Sequence, residues 1–297
     1  MNNDGSFICI GSSRLTVEIA RSGLLYQRSR FDRTGQIRQV RLDDGTVFCG
    51  ADTRSASQNC GAFGLMNEYM PSDQGTYDTA DPDGGVFLKM GVGLLRRVGP
   101  EAYSQKTDYP VAEKAIVKEW ADANTYHASV SQREFNGFAY VAERTLTIYQ
   151  DSLLSSYCVQ NKGVKALHFN EYAHNFYCTG KNRFAWDMLF FTSFEAEPHP
   201  QELIKQGKRF RIQPFEQVAA CELTDWLEIG AVPPNIAVQC PDIGIQISET
   251  LQAPRFRSFL WTLPDTVCPE LIAGLDAAPG EKICWSRNYT FRHLPVQ

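Results

Sequence analysis

From Phe7 onward, apolar and polar residues exchange places with a period of two far more often than with a period of 3.6. The runs are short and end at Gly, Asp or Asn, as strands joined by tight turns do. Residues 37–50 alternate about Asp44 and Gly45 and predict a hairpin. Residues 126–161 predict two or three consecutive antiparallel strands with a turn at Gln150, Asp151 and Ser152. Along 86–97, Val86, Leu88, Met90, Val92 and Leu94 alternate with Phe87, Lys89, Gly91 and Gly93. Lys89 then stands over a nearly bare face, which marks a bulge, a tight sheet crossing or the close approach of a ligand. Ile243, Ile245 and Ile247 alternate in a later strand, and the last two strands bracket an irregular segment carrying Glu270. One short helix is expected at 199–206, where Pro200 suits a first turn and Gly207 a stop. Between Met70 and Gly85 the chain reads as a long polar loop, either a lid or a mobile excursion. Asp81, Asp83 and Gly84 are spaced like the start of a calcium loop, but no acidic residue closes it. The expected fold is mainly β: a single domain over 1–297, built as a large antiparallel β-sandwich with a concave face.

Residues 166–184 stand out because two of the five histidines, three asparagines and five aromatics crowd together there. As a strand, the segment places His168, Asn170, Tyr172, His174 and Phe176 on one face and Leu167, Phe169, Glu171, Ala173 and Asn175 on the other. A solvated face would carry Lys, Glu and Thr; one of His, Asn and Tyr better suits the wall of a wet cleft. The two histidines are six residues apart, roughly 20 Å at ~3.3 Å per residue, so they cannot serve one reacting atom. Geometry alone leaves both open.

Composition narrows the function classes. The chain is 43% hydrophobic, and no apolar run approaches the ~20 residues that a membrane span needs. The N-terminus lacks a basic region followed by an apolar one, so a cytoplasmic protein is expected. A net charge of −5 argues against a nucleic-acid partner. Nine cysteines, an odd number without a CxxC pair, read as reduced and mostly buried thiols. No nucleotide motif or Cys/His ligand cluster is evident, and neither a metal nor an organic cofactor is expected.

A chain of short motifs then resembles the galactose mutarotase-like superfamily, the aldose 1-epimerases and their relatives. Arg30, Phe31, Asp32, Gly35 and Ile37 resemble a stretch of the family's N-terminal sheet, and residues 64–69, with Glu68 before Tyr69, resemble its next Glu-aromatic segment. Residues 87–96 are similar to a Lys-containing, glycine-rich strand of a bacterial branch, as is the run from Asn161 and Gly163 to Tyr172, His174, Asn175 and Phe176. Pro269 and Glu270, with the turn at Pro279, Gly280 and Glu281, resemble the C-terminal segment. The matches span about residues 26 to 291 in the family's order. One departure concerns the acid, which the well-known epimerases carry within Asn-His-x-Tyr-Phe-Asn.

The resemblance implies a β-supersandwich that opens a sugar ring and recloses it in the other anomeric configuration. It assigns the general acid to His174 and the general base to Glu270. Mutarotation needs one proton removed from the anomeric hydroxyl and another delivered to the ring oxygen, and two groups on opposite sides of the sugar suffice. His174 suits delivery near neutral pH. His168 then fits a buried structural histidine donating to a backbone carbonyl. Arg30 and Lys89 are expected to hold sugar hydroxyls or an anionic substituent, with ion pairing as the competing account. Glu68, Gln132, Tyr172 and Asn175 complete the expected substrate contacts, Tyr172 by stacking on a pyranose. The expected partner is a small carbohydrate. A sugar-binding or regulatory protein of the same fold, or a polysaccharide-active lyase or accessory domain, are the alternatives.

Overall fold

The computed structural model describes residues 5–52, 61–70, 75–178, 188–196, 203–206, 208–212 and 219–294. Strands are numbered in chain order. A first antiparallel sheet runs β1 (Phe7–Gly11), β2 (Leu15–Ala20), β3 (Gln36–Leu42), β4 (Leu65–Tyr69), β12 (Leu167–Asn175), β21 (Thr266–Ala277), β20 (Arg255–Leu263) and β17 (Ala219–Glu228). The short β13 (Tyr177–Cys178) pairs with β21 as well. A second sheet runs β15 (Leu203–Gln206), β16 (Arg209–Ile212), β14 (Leu189–Thr192), β18 (Asn235–Cys240), β19 (Ile245–Gln252), β22 (Lys282–His293), β11 (Ser152–Asn161), β10 (Phe138–Tyr149), β9 (Thr125–Phe135) and β8 (Ile116–Ala121). A small third sheet holds β5 (Val86–Lys89), β6 (Gly93–Arg96) and β7 (Val111–Lys114).

The two large sheets pack face to face because most strands bury alternate residues against the other sheet, while β4 and β21 are buried along nearly their whole length. Phe169 of β12 meets Trp285 of β22 with ring centroids 5.8 Å apart, and Val17, Val40 and Leu271 share one core with Leu146, Leu153 and Ile247. This is the expected mainly β sandwich. Its interior also carries charge. Arg287 contacts the carboxylates of both Glu171 and Glu249, and all three are fully buried. Trp285 Nε1 donates to Glu171 at 3.2 Å, and Asn175 Nδ2 donates to Glu249 at 2.7 Å. Buried charges are tolerated only when paired and hydrogen-bonded in this way.

Several expectations are corrected. Residues 203–206 are strand β15, paired with β16 from Leu203↔Ile212 to Gln206↔Arg209, so the expected helix fails where it is described; the rest of it, 199–202, lies outside the described residues. Cross-strand hydrogen bonds to β16 outweigh a weak helix-start signal. Residues 86–97 form a hairpin, with Lys89 paired to Gly93. Its glycines are required by close approach: a Cβ on Gly93 would lie 2.1 Å from the Glu113 backbone carbonyl oxygen, and one on Gly91 would lie 2.8 Å from the Asp32 side-chain carboxylate. The polar stretch after Met70 is anchored where it is described, since Tyr77 and Ala80 are buried against Phe87 and Tyr109. Glu270 lies inside the continuous strand β21. Pro269 is accommodated there because the β12 ladder on that side ends at Tyr172↔Ile272 and β13 resumes at Tyr177↔Val267, so no partner demands its missing N–H. The cysteines are not all reduced: Cys158 and Cys284, directly paired across β11 and β22, form a disulfide, while Cys49, Cys221, Cys240 and Cys268 are buried, as expected. The two half-cystines are 126 residues apart, a pairing that local spacing does not reveal. Among the described residues, no helix is long and apolar enough to cross a membrane.

Candidate active site

The site is built on the outward face of the first sheet, where β4, β12 and β21 lie side by side. Along β12 the even residues turn away from the sandwich, and the rings of Tyr172, His174 and Phe176 follow one another at 6.1 and 6.2 Å. The register between β12 and β21 runs from Leu167↔Ala277 to Tyr172↔Ile272. Two residues further along each strand, His174 and Glu270 come level on the same face, with Nδ1 2.9 Å from Oε1. A separation of about a hundred residues in sequence is thus closed by one strand pairing.

On the other side β4 pairs with β12 through His174↔Met66 and Tyr172↔Glu68, and Glu68 reaches the second ring nitrogen. Its Oε2 lies 3.1 Å from His174 Nε2 and accepts from Arg30 Nε at 2.8 Å. Its Oε1 accepts from Lys89 Nζ at 3.2 Å, and that ammonium also donates to the Tyr69 carbonyl at 2.5 Å. Phe31 closes edge-on against the imidazole, with centroids 5.2 Å apart. One imidazole therefore sits between two carboxylates, and the inner one, Glu68, is fixed by two buried cations.

These neighbours set the charge states. Burial works against an ionised Glu68, but Arg30 and Lys89 overcome it and hold the carboxyl far below its usual range. Burial would also lower the pKa of His174; the charge of Glu270 and the hydrogen bonds to both carboxylates outweigh this and raise it above the ordinary histidine value. Arg30 is likewise held as a cation by Glu68 against the cost of burial. Burial, then Glu270, pushes the Cys268 thiol well up, and its Sγ lies 3.5 Å from Glu270 Oε1. Each ring nitrogen of His174 is thus directed at a carboxylate, an arrangement that favours the imidazolium.

A cavity of about 270 Å³ opens over this pair, with Arg30, Tyr172, His174, Phe176, Trp261 and Glu270 in its wall. The sequence-predicted residues divide around it. Arg30, Tyr172, His174 and Glu270 reach the cavity, whereas Glu68 and Lys89 are fully buried behind His174. Asn175 faces the opposite way, with Nδ2 bonded to Glu249 and to the Pro269 carbonyl. Gln132 lies on β9 of the other sheet, hydrogen-bonded to Glu113. Neither is part of the cavity wall. His168 is exposed and pairs with Asp276 at 2.6 Å, in place of the expected buried contact to a carbonyl. The acid and base were expected on opposite sides of a sugar; they touch each other on one wall.

Sequence reasoning did not single out Arg257 and Phe259, which join Trp261 in the wall from alternate positions of β20. Their spacing by two was the available signal. Arg257 Nη2 donates to the Tyr172 hydroxyl at 2.6 Å and so fixes that ring. Gln105 and Lys106 enter from a loop, with no periodic signal to reveal them.

No protein-family model matches this sequence, and no curated protein does. The likeness is three-dimensional. A candidate aldose 1-epimerase from Escherichia coli K12 superposes with a TM-score of 0.62 at 13% identity, over 97% of this chain and 99% of that one. A galactose mutarotase related enzyme from Lactobacillus acidophilus gives 0.59 at 11% identity, over 98% and 100%. A galactose mutarotase-like protein from Lactobacillus casei gives 0.57 at 11% identity, over 96% and 100%. The strand order, the sandwich and these end-to-end superpositions establish that the chain has the galactose mutarotase-like fold.

Proposed function

We propose that the protein interconverts the anomers of a sugar held against His174 and Glu270. The observation that carries this reading is the 2.9 Å contact between His174 Nδ1 and Glu270 Oε1 in the wall of the cavity. In a pyranose the anomeric hydroxyl oxygen and the ring oxygen are bonded to the same carbon. A donor and an acceptor that already touch can therefore address both, provided that the hemiacetal slips into their hydrogen bond. Glu270 takes the hydroxyl proton and His174 gives its Nδ1 proton to the ring oxygen. The bond from the anomeric carbon to the ring oxygen breaks as the aldehyde C=O forms. Rotation of the aldehyde and the reverse transfers close the ring in the other configuration and restore both groups.

Each surrounding residue has a part in this. Glu68 accepts from Nε2, which keeps the imidazolium in place and leaves Nδ1 as the transferable donor. Tyr172, Phe176 and Trp261 offer flat rings to the apolar face of a pyranose. The volume is below the roughly 300–1,000 Å³ of drug-sized pockets and suits one sugar ring, not a chain. Arg30, Lys106 and Arg257 share the wall with Glu222 and Glu270, and Arg30 and Arg257 are paired with Glu68 and Glu222, so these groups offer hydrogen bonds to hydroxyls and to an anionic substituent alike.

The test is to follow anomer exchange by NMR and by optical rotation after adding freshly dissolved α-anomers of neutral hexoses, pentoses, uronates and sugar phosphates. At least one class should equilibrate faster than in buffer, and His174→Ala should abolish the acceleration. Exchange at the buffer rate across all four classes would reject the reaction; saturable sugar binding under the same conditions would then favour a sugar-binding protein.

A further inference from the structure

We propose that His174, Cys268 and Glu270 form a binding site for a divalent transition ion of the zinc class, and that occupancy withdraws the acid and base from proton exchange. The withdrawal rests on the anomer-exchange reading above; the metal site does not.

The three side chains offer one imidazole nitrogen, one sulfur and one carboxylate oxygen, all within 4.8 Å of one another. Glu270 Oε1 lies 2.9 Å from His174 Nδ1 and 3.5 Å from Cys268 Sγ. Tetrahedral zinc, with bonds of about 2.0–2.3 Å, spaces such atoms by roughly 3.3–3.6 Å. The two spacings through Glu270 need a shift of only a few tenths of an ångström, which its flexible arm can supply; the His174 nitrogen and the Cys268 sulfur, within 4.8 Å of each other, close to about 3.5 Å as the ion draws them in. Imidazole, thiolate and carboxylate together select zinc, cobalt or a similar ion over magnesium or calcium, which prefer oxygen alone.

The outer contacts match what metal ligands require. A ligating histidine normally donates its other ring N–H to a carboxylate, which fixes tautomer and orientation. His174 Nε2 has that partner in Glu68, itself held by Arg30 and Lys89. The backbone N–H of Asn175 is directed at the Cys268 sulfur; burial and Glu270 keep that sulfur a thiol without an ion, so it is the ion's own charge that would displace the Sγ proton. Charge is conserved as well: the ion's two positive charges replace two protons, one leaving His174 Nδ1 and one leaving Cys268 Sγ. His174 and Glu270 face the cavity, so the fourth position would fall to water or a sugar hydroxyl, the arrangement of an open three-ligand site. In that state Nδ1 has no proton to give and Glu270 has no free oxygen directed at the same point.

Cobalt(II) is the probe, because its tetrahedral thiolate complexes are coloured. Titrated into the full chain, it should give a sulfur-to-cobalt charge-transfer band with visible d–d bands, saturating at one ion per chain and reversed by zinc. Cys268→Ala and Cys268→Ser should both remove the charge-transfer band, and Glu270→Gln should weaken binding at least tenfold. Absence of the band in the wild type, or its persistence in both Cys268 variants, overturns the site. Zinc should slow anomer exchange and a chelator should restore it. Full exchange at saturating zinc overturns the withdrawal. No exchange by the zinc-free protein rejects the anomer reading and the withdrawal together, while the cobalt band is read independently.

Discussion

Replacing Glu270 by Gln removes one negative charge from beside His174 and leaves the shape of the site nearly intact. Two effects should follow from this one change. The first is loss of the base, and a positioned general base contributes about 10²–10⁴-fold. The second acts through His174. Burial lowers its affinity for a proton, and the attraction of Glu270 is the first of the effects that reverse this. Unit charges 4 Å apart at an effective dielectric constant of ~20 attract by about 4 kcal/mol, large enough to decide the protonation of a buried imidazole. Without that charge His174 should move toward its neutral form at pH 7, so the acid is weakened with the base. The variant should therefore exchange anomers at least about 10²-fold more slowly. Adding His174→Asn should cost little more, because groups that act as a unit lose most of their effect with the first deletion. The assay is two-dimensional exchange NMR on a responsive sugar, together with a pH titration of the His174 ring signals. Exchange within tenfold of wild type, or a His174 titration that does not move to lower pH in Glu270→Gln, would refute this account.

Gln132→Ala should leave both kcat and KM for anomer exchange unchanged, whereas Arg257→Met, which frees Tyr172 in the cavity wall, should raise KM severalfold; steady-state kinetics separate the two. Arg287→Met leaves Glu171 and Glu249 buried without their cation and should cost about 3–5 kcal/mol, read by urea unfolding. Loss of the Cys158–Cys284 disulfide through Cys158→Ser should cost about 2–4 kcal/mol in the same assay; an unchanged midpoint counts against the bond. Stability should fall as pH rises from about 5.5 to 8. Burial raises Asp32 from 3.8 to about 6 and Glu249 from 4.5 to about 7, and His174 lies above 6.5, so all three bind protons more tightly folded than unfolded and lose that advantage on the way up. Glu68 has the opposite sign and acts only below its unfolded value of 4.5. A urea midpoint that rises between pH 5.5 and 8 contradicts this assignment.

The β architecture was legible because alternation survives along most of the chain, and a period of two also separated the outward His174 from the inward Asn175 before any contact was known. What period alone did not convey is which strands become neighbours. Glu270 read as part of an irregular segment because Pro269 interrupts the usual strand pattern; only the gap between the β12 and β13 ladders makes a proline acceptable there. Lys89 read as a cation over a bare surface, and it proved to be fully buried against Glu68. The glycines beside it were informative, but about the close approach of the Glu113 backbone and the Asp32 side chain and not about a ligand. Residues 203–206 show the limit of local signals: a proline and a glycine framed a helix, yet a neighbouring strand determined the outcome.

The same limit applies to the chemistry. The sequence indicated one acid and one base, which by itself permits a sugar between them and any protonation state for the histidine. The strand order adds a second carboxylate, Glu68, on the far side of the ring, and this changes the problem from where the two groups stand to how many protons the cluster holds. A carboxylate at each nitrogen favours the imidazole as a cation, and of its two N–H groups only Nδ1–H lies toward Glu270 in the cavity wall. Under the proposed reaction, the site is prepared in its acid form before any sugar arrives, and the base lies against it until a hydroxyl displaces the contact. Catalysis on this view begins by exchanging the 2.9 Å hydrogen bond within the pair for two bonds to the substrate. A ligand that cannot offer both a donor and an acceptor on one carbon should leave the pair closed, which makes a 1-deoxy sugar a weak competitor and not a tight inhibitor.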